Sequence, residues 1–212
     1  MRIFPLGDSA ATIEFGNDIS LDLNAQAVEI ARNLNETPFA GLLEAVPAYA
    51  SVTVFYDNRA TFDSVKRILE SRSRTIVTDG RDKTDLVEIP MTISFESSPD
   101  IQRIAADAEL TEVDVVEIFL STTYRVYMLG FLPGFAYMGE VNDRIAAPRL
   151  ETPRTKVPKG SIGIAGKQTG IYPLESPGGW NIIGRTDLRM FDPTSPDPCL
   201  LKPGDEVRFV RC

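Results

Sequence analysis

Residues 124–139, YRVYMLGFLPGFAYMG, and residues 148–186, PRLETPRTKVPKGSIGIAGKQTGIYPLESPGGWNIIGRT, decide the fold of most of this chain. Ten of the 15 glycines lie within positions 130–184, and ten of the 15 prolines lie within positions 133–203. Such density indicates tight turns and close approaches of the backbone. Between the turns, short apolar runs predict strands at residues 124–131, 162–165, 180–183 and 206–210. The pattern predicts a closed or half-closed β barrel with helices at its ends.

The first 80 residues have a different pattern, in which short strands alternate with amphipathic helices. The predicted strands cover residues 2–6, 11–15, 42–46 and 51–56. Apolar residues at helical spacing predict one helix over residues 21–34, with Ser20 or Asp22 as its N-cap, and a second helix that begins near Thr61. The order ββαββα indicates a small α+β sandwich.

A polar, charged stretch at residues 72–84 is typical of a linker between domains. We therefore predict an N-terminal α+β domain at residues 1–80 and a barrel domain at residues 85–212. In the second domain, alternating apolar residues predict a strand at residues 86–93. Pro99 is expected at the first position of a helix, and the capping-box pattern Thr111-Glu-Val-Asp114 predicts the start of another.

The composition excludes several classes of protein and of active site. A formal net charge of −8 argues against nucleic acid as the main partner, since phosphate contacts need a broad basic surface. The absence of histidine excludes Ser-His-Asp triads, Cys-His pairs and histidine-ligated zinc. No uncharged apolar run approaches the roughly 20 residues of a membrane helix, and the N-terminus lacks a continuous apolar signal segment. We expect a cytoplasmic protein with no membrane partner and no metal ligated by this chain.

A local excess of positive charge contrasts with the acidic composition. Residues 144–167 contain six Lys or Arg but one acid, Glu151. A single surface arginine is more often simply solvated, but several cations in one glycine-rich region favour the binding of a small anion. Arg154 and Arg185 are the preferred charges, with Lys156 beside them, because guanidinium groups can bind carboxylate or phosphate through two hydrogen bonds.

The stretch Gly160-Ser-Ile-Gly-Ile-Ala-Gly-Lys-Gln-Thr169 has some features of a phosphate-binding loop but does not match its pattern. That motif has four residues between its first glycine and the Gly-Lys pair, whereas five residues separate Gly160 from Gly166. Gln168 also occupies the place of the Ser or Thr that would bind magnesium. A β-strand between two glycine turns is the better interpretation.

Further candidates for ligand contact lie where glycine and proline let the backbone approach a ligand. They are Gln168, Thr169, Tyr172, Ser176 and Trp180. Maintenance of turns is the competing explanation, and for Trp180 a plug of the barrel core is preferred to a ring platform in a pocket. No catalytic residue or general base is assigned, because no acid in this region is distinguished by its spacing.

These residues also give the chain a family resemblance. The segment GFLPGFAYMG, followed by residues 148–186, resembles the family that contains the B subunit of 5-oxoprolinase, the KipI-type kinase inhibitors and allophanate hydrolase subunit 1. Gly7-Asp8-Ser9-Ala10 and Glu44-Ala-Val-Pro47-Ala-Tyr49 resemble the family's N-terminal landmarks. The resemblance implies an α+β protein in which a small N-terminal α/β sandwich domain is followed by a C-terminal cyclophilin-like β barrel.

The resemblance further implies a reaction and partners. In this family the B and C subunits of 5-oxoprolinase work with the A subunit to open 5-oxoproline to L-glutamate. We therefore expect ATP-dependent hydrolysis of a cyclic amide, in a complex with proteins similar to the C and A subunits. In this hypothesis, residue type assigns charge neutralisation to Arg154 and Arg185, ligand orientation to Gln168 and Thr169, and a pocket wall to Tyr172 and Trp180.

Two alternatives come from the same resemblance. One is a KipI-type inhibitor that binds a sensor histidine kinase without turnover. The other is a subunit related to allophanate hydrolase or urea carboxylase that depends on a biotinylated partner. One position departs from the family, whose members often have histidine five residues before the residue that corresponds to Tyr124. Phe119 occupies that position here, and core packing is its simplest interpretation.

Overall fold

The structure is a computed structural model that describes residues 1–75 and 86–212. The chain divides into two compact units, Met1–Lys83 and Thr84–Cys212. The elements of the first unit follow the predicted order ββαββα: β1 (Arg2–Pro5), β2 (Ala10–Glu14), α1 (Leu21–Glu36), β3 (Leu42–Pro47), β4 (Ser51–Tyr56) and α2 (Phe62–Thr75).

In the first unit, both helices pack on one face of a four-stranded antiparallel sheet with the order β1-β2-β4-β3. Ile13 and Val54 of the sheet are buried against Leu34 of α1 and Leu69 of α2, which forms an apolar core. Of the two predicted N-caps of α1, Ser20 is the one used, since its Oγ accepts a hydrogen bond from the backbone N–H of Leu23.

The linker predicted at residues 72–84 is in part helical. Helix α2 continues to Thr75. In its last turn, the side chain of Arg72 donates to the carbonyl oxygen of Thr37, at the end of α1, at 2.8 Å. The rest of the predicted linker lies outside the described residues.

Over its described residues, 86–212, the second unit contains two helices, one 3₁₀ turn and nine strands. In chain order they are β5 (Leu86–Met91), α3 (Ile101–Asp107), α4 (Glu112–Leu120), β6 (Thr123–Leu129), β7 (Ala136–Gly139), the 3₁₀ turn (Asp143–Ile145), β8 (Arg154–Val157), β9 (Ser161–Ala165), β10 (Gln168–Ile171), β11 (Ser176–Gly178), β12 (Asn181–Arg185) and β13 (Glu206–Arg211). Five of these strands, β5, β6, β9, β12 and β13, correspond to predicted runs, whereas β7, β8, β10 and β11 do not.

Seven of the strands form a sheet with the order β12-β9-β10-β7-β6-β13-β5. All neighbours are antiparallel except β13 and β5. The two edges meet at one residue pair, Thr92 and Arg185, whose main chains exchange N–H···O bonds of 2.8 and 3.0 Å. This closure makes the sheet a barrel, and the predicted fold class, an α/β sandwich followed by a β barrel, is confirmed.

The barrel interior is apolar and continues into the two helices. Strand residues such as Ile162 and Ile164 share one buried cluster with Ile104 of α3 and Phe119 of α4. The Phe119 ring lies 5.0 Å from the ring centroid of Tyr124, whose hydroxyl donates to the Phe119 carbonyl oxygen at 2.9 Å. Phe119 is therefore a core residue, as its simplest interpretation required.

The two helices of this unit begin in different ways. Helix α4 has the predicted capping box, in which Thr111 and Asp114 each accept the other's backbone N–H. Helix α3 begins at Ile101 with Asp100 as N-cap, so Pro99 precedes the helix and the prediction that it occupies the first position is wrong. The cause is tertiary, because the Asp100 backbone N–H donates to the carbonyl oxygen of Ile182 on β12. Within residues 1–75 and 86–212, none of the helices combines the length and apolarity that a membrane crossing requires.

Candidate functional site

A cleft of about 430 Å³ on the barrel unit is lined by several charged and hydroxyl side chains. One wall is the loop that follows β5, and the others come from strands β8, β9 and β12. The side chains on which its chemistry depends are Glu96, Arg154, Lys156, Ser161, Arg185 and Asp187. The structure therefore brings together three of the predicted site residues, Arg154, Lys156 and Arg185.

A tight turn between β8 and β9 shapes the cleft. The backbone N–H of Ser161 donates to the carbonyl oxygen of Pro158, and Gly160 has φ +81°, as position i+2 of a type II turn requires. A Cβ atom at Gly160 would lie 2.1 Å from the carbonyl oxygen of Thr186. Only glycine fits there, and the turn places Ser161 at the first position of β9.

Ser161 lies directly opposite Arg185 in the pairing of β9 with β12. Ile162, the next residue of β9, belongs to the barrel interior, so the alternation of side chains places Ser161 on the outer face. The residue is 3% exposed and lines the cleft. Its Oγ has no hydrogen-bond partner within the described part of the chain and keeps some exposure at the cleft.

Arg154 is held by a buried acid from outside the basic segment. Its Nη2 donates to Oδ1 of Asp100 at 2.7 Å, and the Asp100 side chain is 8% exposed. The other carboxylate oxygen, Oδ2, accepts the backbone N–H of Ile182 at 2.6 Å. Because Asp100 already neutralises Arg154, removal of Arg154 would leave a buried carboxylate without its partner.

Two further cations of the segment, Lys156 and Lys167, have exposed acidic partners. Nζ of Lys156 lies 3.0 Å from Glu175, and Nζ of Lys167 lies 2.6 Å from Asp143, whose hydrogen bond raises the pKa of Lys167. Exposed pairs of this kind are weak and readily exchanged. The cleft therefore has mixed charge, and three of the six cations counted along the sequence, Arg154, Lys156 and Lys167, pair with acids that lie outside residues 144–167.

Tyr172 and Trp180 lie in an aromatic cluster outside the cleft. The ring of Phe135 packs edge-on against both, with centroid distances of 5.3 Å to Tyr172 and 5.4 Å to Trp180. Burial raises the pKa of the Tyr172 hydroxyl. Trp180 is buried, but in an apolar cluster separate from the one that fills the barrel, so it is neither the predicted plug of the barrel core nor a wall of this cleft.

Three other predicted site residues do not line the cleft. Thr169 pairs with Ile164, so its side chain lies on the interior face, where it is fully buried and Oγ1 donates to the carbonyl oxygen of Gly163 at 3.0 Å. A role for Thr169 in orienting a ligand of the cleft is incompatible with this direction. Gln168 is half-buried on β10, and Ser176 lies on β11, where Oγ donates to the carbonyl oxygen of Pro177.

Ser161 is a cleft residue that the sequence patterns do not single out. The phosphate-loop pattern gives this serine no role. A usable signal was the turn Pro158-Lys159-Gly160 directly before a strand, since the first residue of such a strand lies beside the turn. No cluster of three or more His, Cys, Asp or Glu side chains suited to a metal occurs in the part of the chain that the structure describes.

Comparisons with known proteins give relatives over the whole chain. Residues 1–201 match the sequence profile of the family described as carboxyltransferase domain, subdomain C and D. The chain is 43% identical to the B subunit of 5-oxoprolinase from Bacillus subtilis (strain 168) over 221 residues, which cover 99% of this chain and 92% of that protein.

Solved structures include two long relatives of which this chain matches a part. TTHA0988 superposes on 97% of this chain with a TM-score of 0.86 at 36% identity, and the match spans 40% of TTHA0988. The urea amidolyase of K. lactis superposes on 99% of this chain with a TM-score of 0.78 at 21% identity, and the match spans 15% of that enzyme. The second likeness establishes the fold alone.

Proposed function

This chain belongs to the family of carboxyltransferase domains, subdomains C and D, and from that membership we propose that it is the B subunit of an ATP-dependent 5-oxoprolinase. The observation that carries the proposal is the 43% identity to the B subunit of a 5-oxoprolinase over nearly the full length of both chains. The reaction proposed is the opening of 5-oxoproline to L-glutamate.

The chemistry explains why ATP is needed. An unstrained amide resists attack by water, because its carbonyl carbon is a poor electrophile. Transfer of the γ-phosphoryl group to the lactam oxygen makes that carbon more electrophilic and releases ADP. Water then adds, the C–N bond breaks and phosphate leaves, which yields glutamate. The contribution proposed for this chain is to bind and orient an anionic reactant rather than to supply the attacking group.

The donors in the cleft are suited to such a reactant. Arg185 and Lys156 are exposed cations with exchangeable partners, and the carboxylate of 5-oxoproline and the phosphates of ATP are both oxyanions that such groups bind. Arg154, whose charge is committed to Asp100, is assigned a positioning role. The proposal leaves the general base to the partners, which are proteins similar to the C and A subunits of 5-oxoprolinase.

The decisive experiment uses the assembled complex. The chain is co-expressed with its two partners, the proteins similar to the A and C subunits, and ATP-dependent release of glutamate from 5-oxoproline is measured with and without this chain. We expect release to require the chain. A stable three-protein complex that hydrolyses no 5-oxoproline, or equal release in the absence of the chain, would refute the proposal.

A pair of variants connects the activity to the cleft. Arg185→Ala should raise the KM for 5-oxoproline or for ATP by about tenfold or more, because a charged hydrogen bond is lost. Arg208→Ala is the matched control, since Arg208 has similar exposure, 47% against 49%, and an exposed acidic partner, Glu88, away from the cleft. Equal effects of the two variants on KM would show that the cleft has no specific part in binding the reactant.

The other two expectations stay predictions. A sensor histidine kinase partner requires a direct complex that forms without any ligand of the cleft. A role related to urea carboxylase or allophanate hydrolase requires activity that depends on a biotinylated partner. Purification of the chain with the proteins that associate with it addresses both.

A further inference from the structure

We propose that Ser161 and Arg185 together form a subsite that receives one oxyanion group of the ligand, with the Ser161 hydroxyl as a hydrogen-bond donor. The subsite stands on the geometry of the cleft alone, and only the choice of 5-oxoproline as one probe rests on the proposed function. The shared chemistry of the ligand group is that of a carboxylate or a phosphate.

The first support is the register of the barrel. Ser161 and Arg185 are direct partners across antiparallel strands β9 and β12, so their side chains leave the sheet on the same face with Cβ atoms about 4.5–5.5 Å apart. The backbone of Arg185 is fixed on its other side by the two hydrogen bonds to Thr92 that close the barrel. A hydroxyl and a guanidinium are therefore held side by side on one face of the paired strands.

The second support is the state of the Ser161 hydroxyl. The residue is 3% exposed, yet none of the described side chains or backbone groups forms a hydrogen bond with its Oγ. Oγ keeps some exposure at the cleft, which the residue lines. The hydroxyl can therefore donate to a ligand group in the cleft without giving up a hydrogen bond to a described part of the protein.

The third support is the weakness of the contact that Arg185 makes inside the protein. Its Nε lies 3.9 Å from Oδ1 of Asp187, and the Asp187 side chain is 93% exposed. Such a pair contributes little to stability, so a ligand oxyanion can replace Asp187 at small cost. Lys156, which lines the same cleft, adds a second positive charge whose partner Glu175 is also exposed.

The arrangement assigns Ser161 the role of a donor rather than that of a nucleophile. The chain contains no histidine, and no described carboxylate or amine contacts Oγ to remove its proton. A neutral hydroxyl beside a guanidinium instead offers one O–H donor and several N–H donors to the oxygens of a single anionic group.

The test measures binding by the full-length chain and kinetics of the assembled complex. Inorganic phosphate and 5-oxoproline are titrated separately into the wild-type chain, Ser161→Ala and Arg185→Ala, and binding is followed by calorimetry or by NMR shifts. Ser51→Ala, at a strand serine of the first unit, and Arg208→Ala are the controls. We expect Ser161→Ala to weaken binding about tenfold, Arg185→Ala at least as much, and the controls to leave it unchanged.

Two further readouts distinguish a binding role from a structural one. Ser161→Ala should leave the Tm unchanged or raise it, because the hydroxyl has no partner to lose among the described residues. In an active complex it should raise KM about tenfold with little change in kcat, and Ser161→Thr, which keeps the hydroxyl, should retain more affinity than Ser161→Ala.

Each outcome decides the inference. Weaker binding of 5-oxoproline identifies the group as the substrate carboxylate, and weaker binding of phosphate alone identifies it as a phosphoryl group of the nucleotide. Unchanged affinity of Ser161→Ala for both probes overturns the subsite, as does a wild-type chain that binds neither probe by itself or in the complex. A complex without activity would remove the proposed function, whereas the titrations would still decide the subsite.

Discussion

Arg154 and Asp100 form an ion pair of 2.7 Å that joins three elements of the barrel unit. Arg154 begins β8, Asp100 is the N-cap of α3, and the second carboxylate oxygen of Asp100 accepts the backbone N–H of Ile182 on β12. The Asp100 carboxylate therefore holds Arg154 in the wall of the cleft and ties the N-cap residue of α3 to β12.

Loss of the Asp100 carboxylate should destabilise the protein. We expect Asp100→Ala to lower the free energy of unfolding by about 2–4 kcal/mol, because it leaves Arg154 without its charge partner and the N–H of Ile182 without an acceptor. Asp100→Asn, which keeps an acceptor, should cost less. Urea unfolding measures both, and a double-mutant cycle with Arg154→Gln isolates the pair. An Asp100→Ala variant as stable as wild type would contradict the assignment.

Removal of the acid beside Arg185 should strengthen anion binding. Asp187→Asn keeps the size of the side chain but removes the charge that a ligand must displace, so we expect the affinity for phosphate to rise about threefold at low ionic strength and less at high salt. Asp197→Asn is the control, since Asp197 is likewise exposed and pairs with Lys202 away from the cleft. An equal gain in both variants would point to net charge as the cause.

Thr169 should affect stability without affecting the ligand. Thr169→Val removes the hydroxyl that donates to the carbonyl oxygen of Gly163 inside the barrel, and we expect a loss of about 1 kcal/mol in unfolding free energy. The affinity for phosphate and 5-oxoproline should stay at the wild-type value. A loss of affinity with unchanged stability would restore the ligand role predicted from the sequence.

Tyr124 should make the protein less stable at alkaline pH. Burial raises the pKa of its hydroxyl, so the unfolded chain loses this proton near pH 10 whereas the folded protein retains it. The unfolded state then binds fewer protons, and stability falls as the pH rises above about 10. Urea midpoints between about pH 8 and pH 11 should decline less in Tyr124→Phe than in wild type, although that variant starts lower because its bond to Phe119 is lost.

Local signals predicted the elements whose cause is local. The capping box of Thr111 and Asp114 lies within one helical turn, and β6 and β13 are rich in aromatic and β-branched residues, which identifies them as strands by composition. Strands such as β11 (Ser176–Gly178) are short and rich in glycine or polar residues, so their strand state comes from pairing with neighbours and not from intrinsic preference.

The types of residue in the candidate site could be predicted from the sequence. The ion pairs that neutralise its cations and the faces on which its side chains lie could not. Asp100 precedes Arg154 by 54 residues, so no local pattern announces that this arginine is already neutralised. Gln168 and Thr169 are adjacent and therefore lie on opposite faces of β10, and only the register with β9 decides which of them lies inside the barrel. The same register places Ser161 beside Arg185.

The closure of the barrel by one residue pair sets where the barrel can open. Thr92 and Arg185 contribute two hydrogen bonds, whereas β9 and β10 are joined along four residue pairs, so a fluctuation that parts the sheet needs the least work at this junction. The amide hydrogens of Thr92 and Arg185 should then exchange with solvent sooner than those of β10. The cleft spans this junction, since Thr92 and Ser94 line it on one side and Arg185 lines it on the other. An anion that contacted both sides would therefore stabilise the closed barrel.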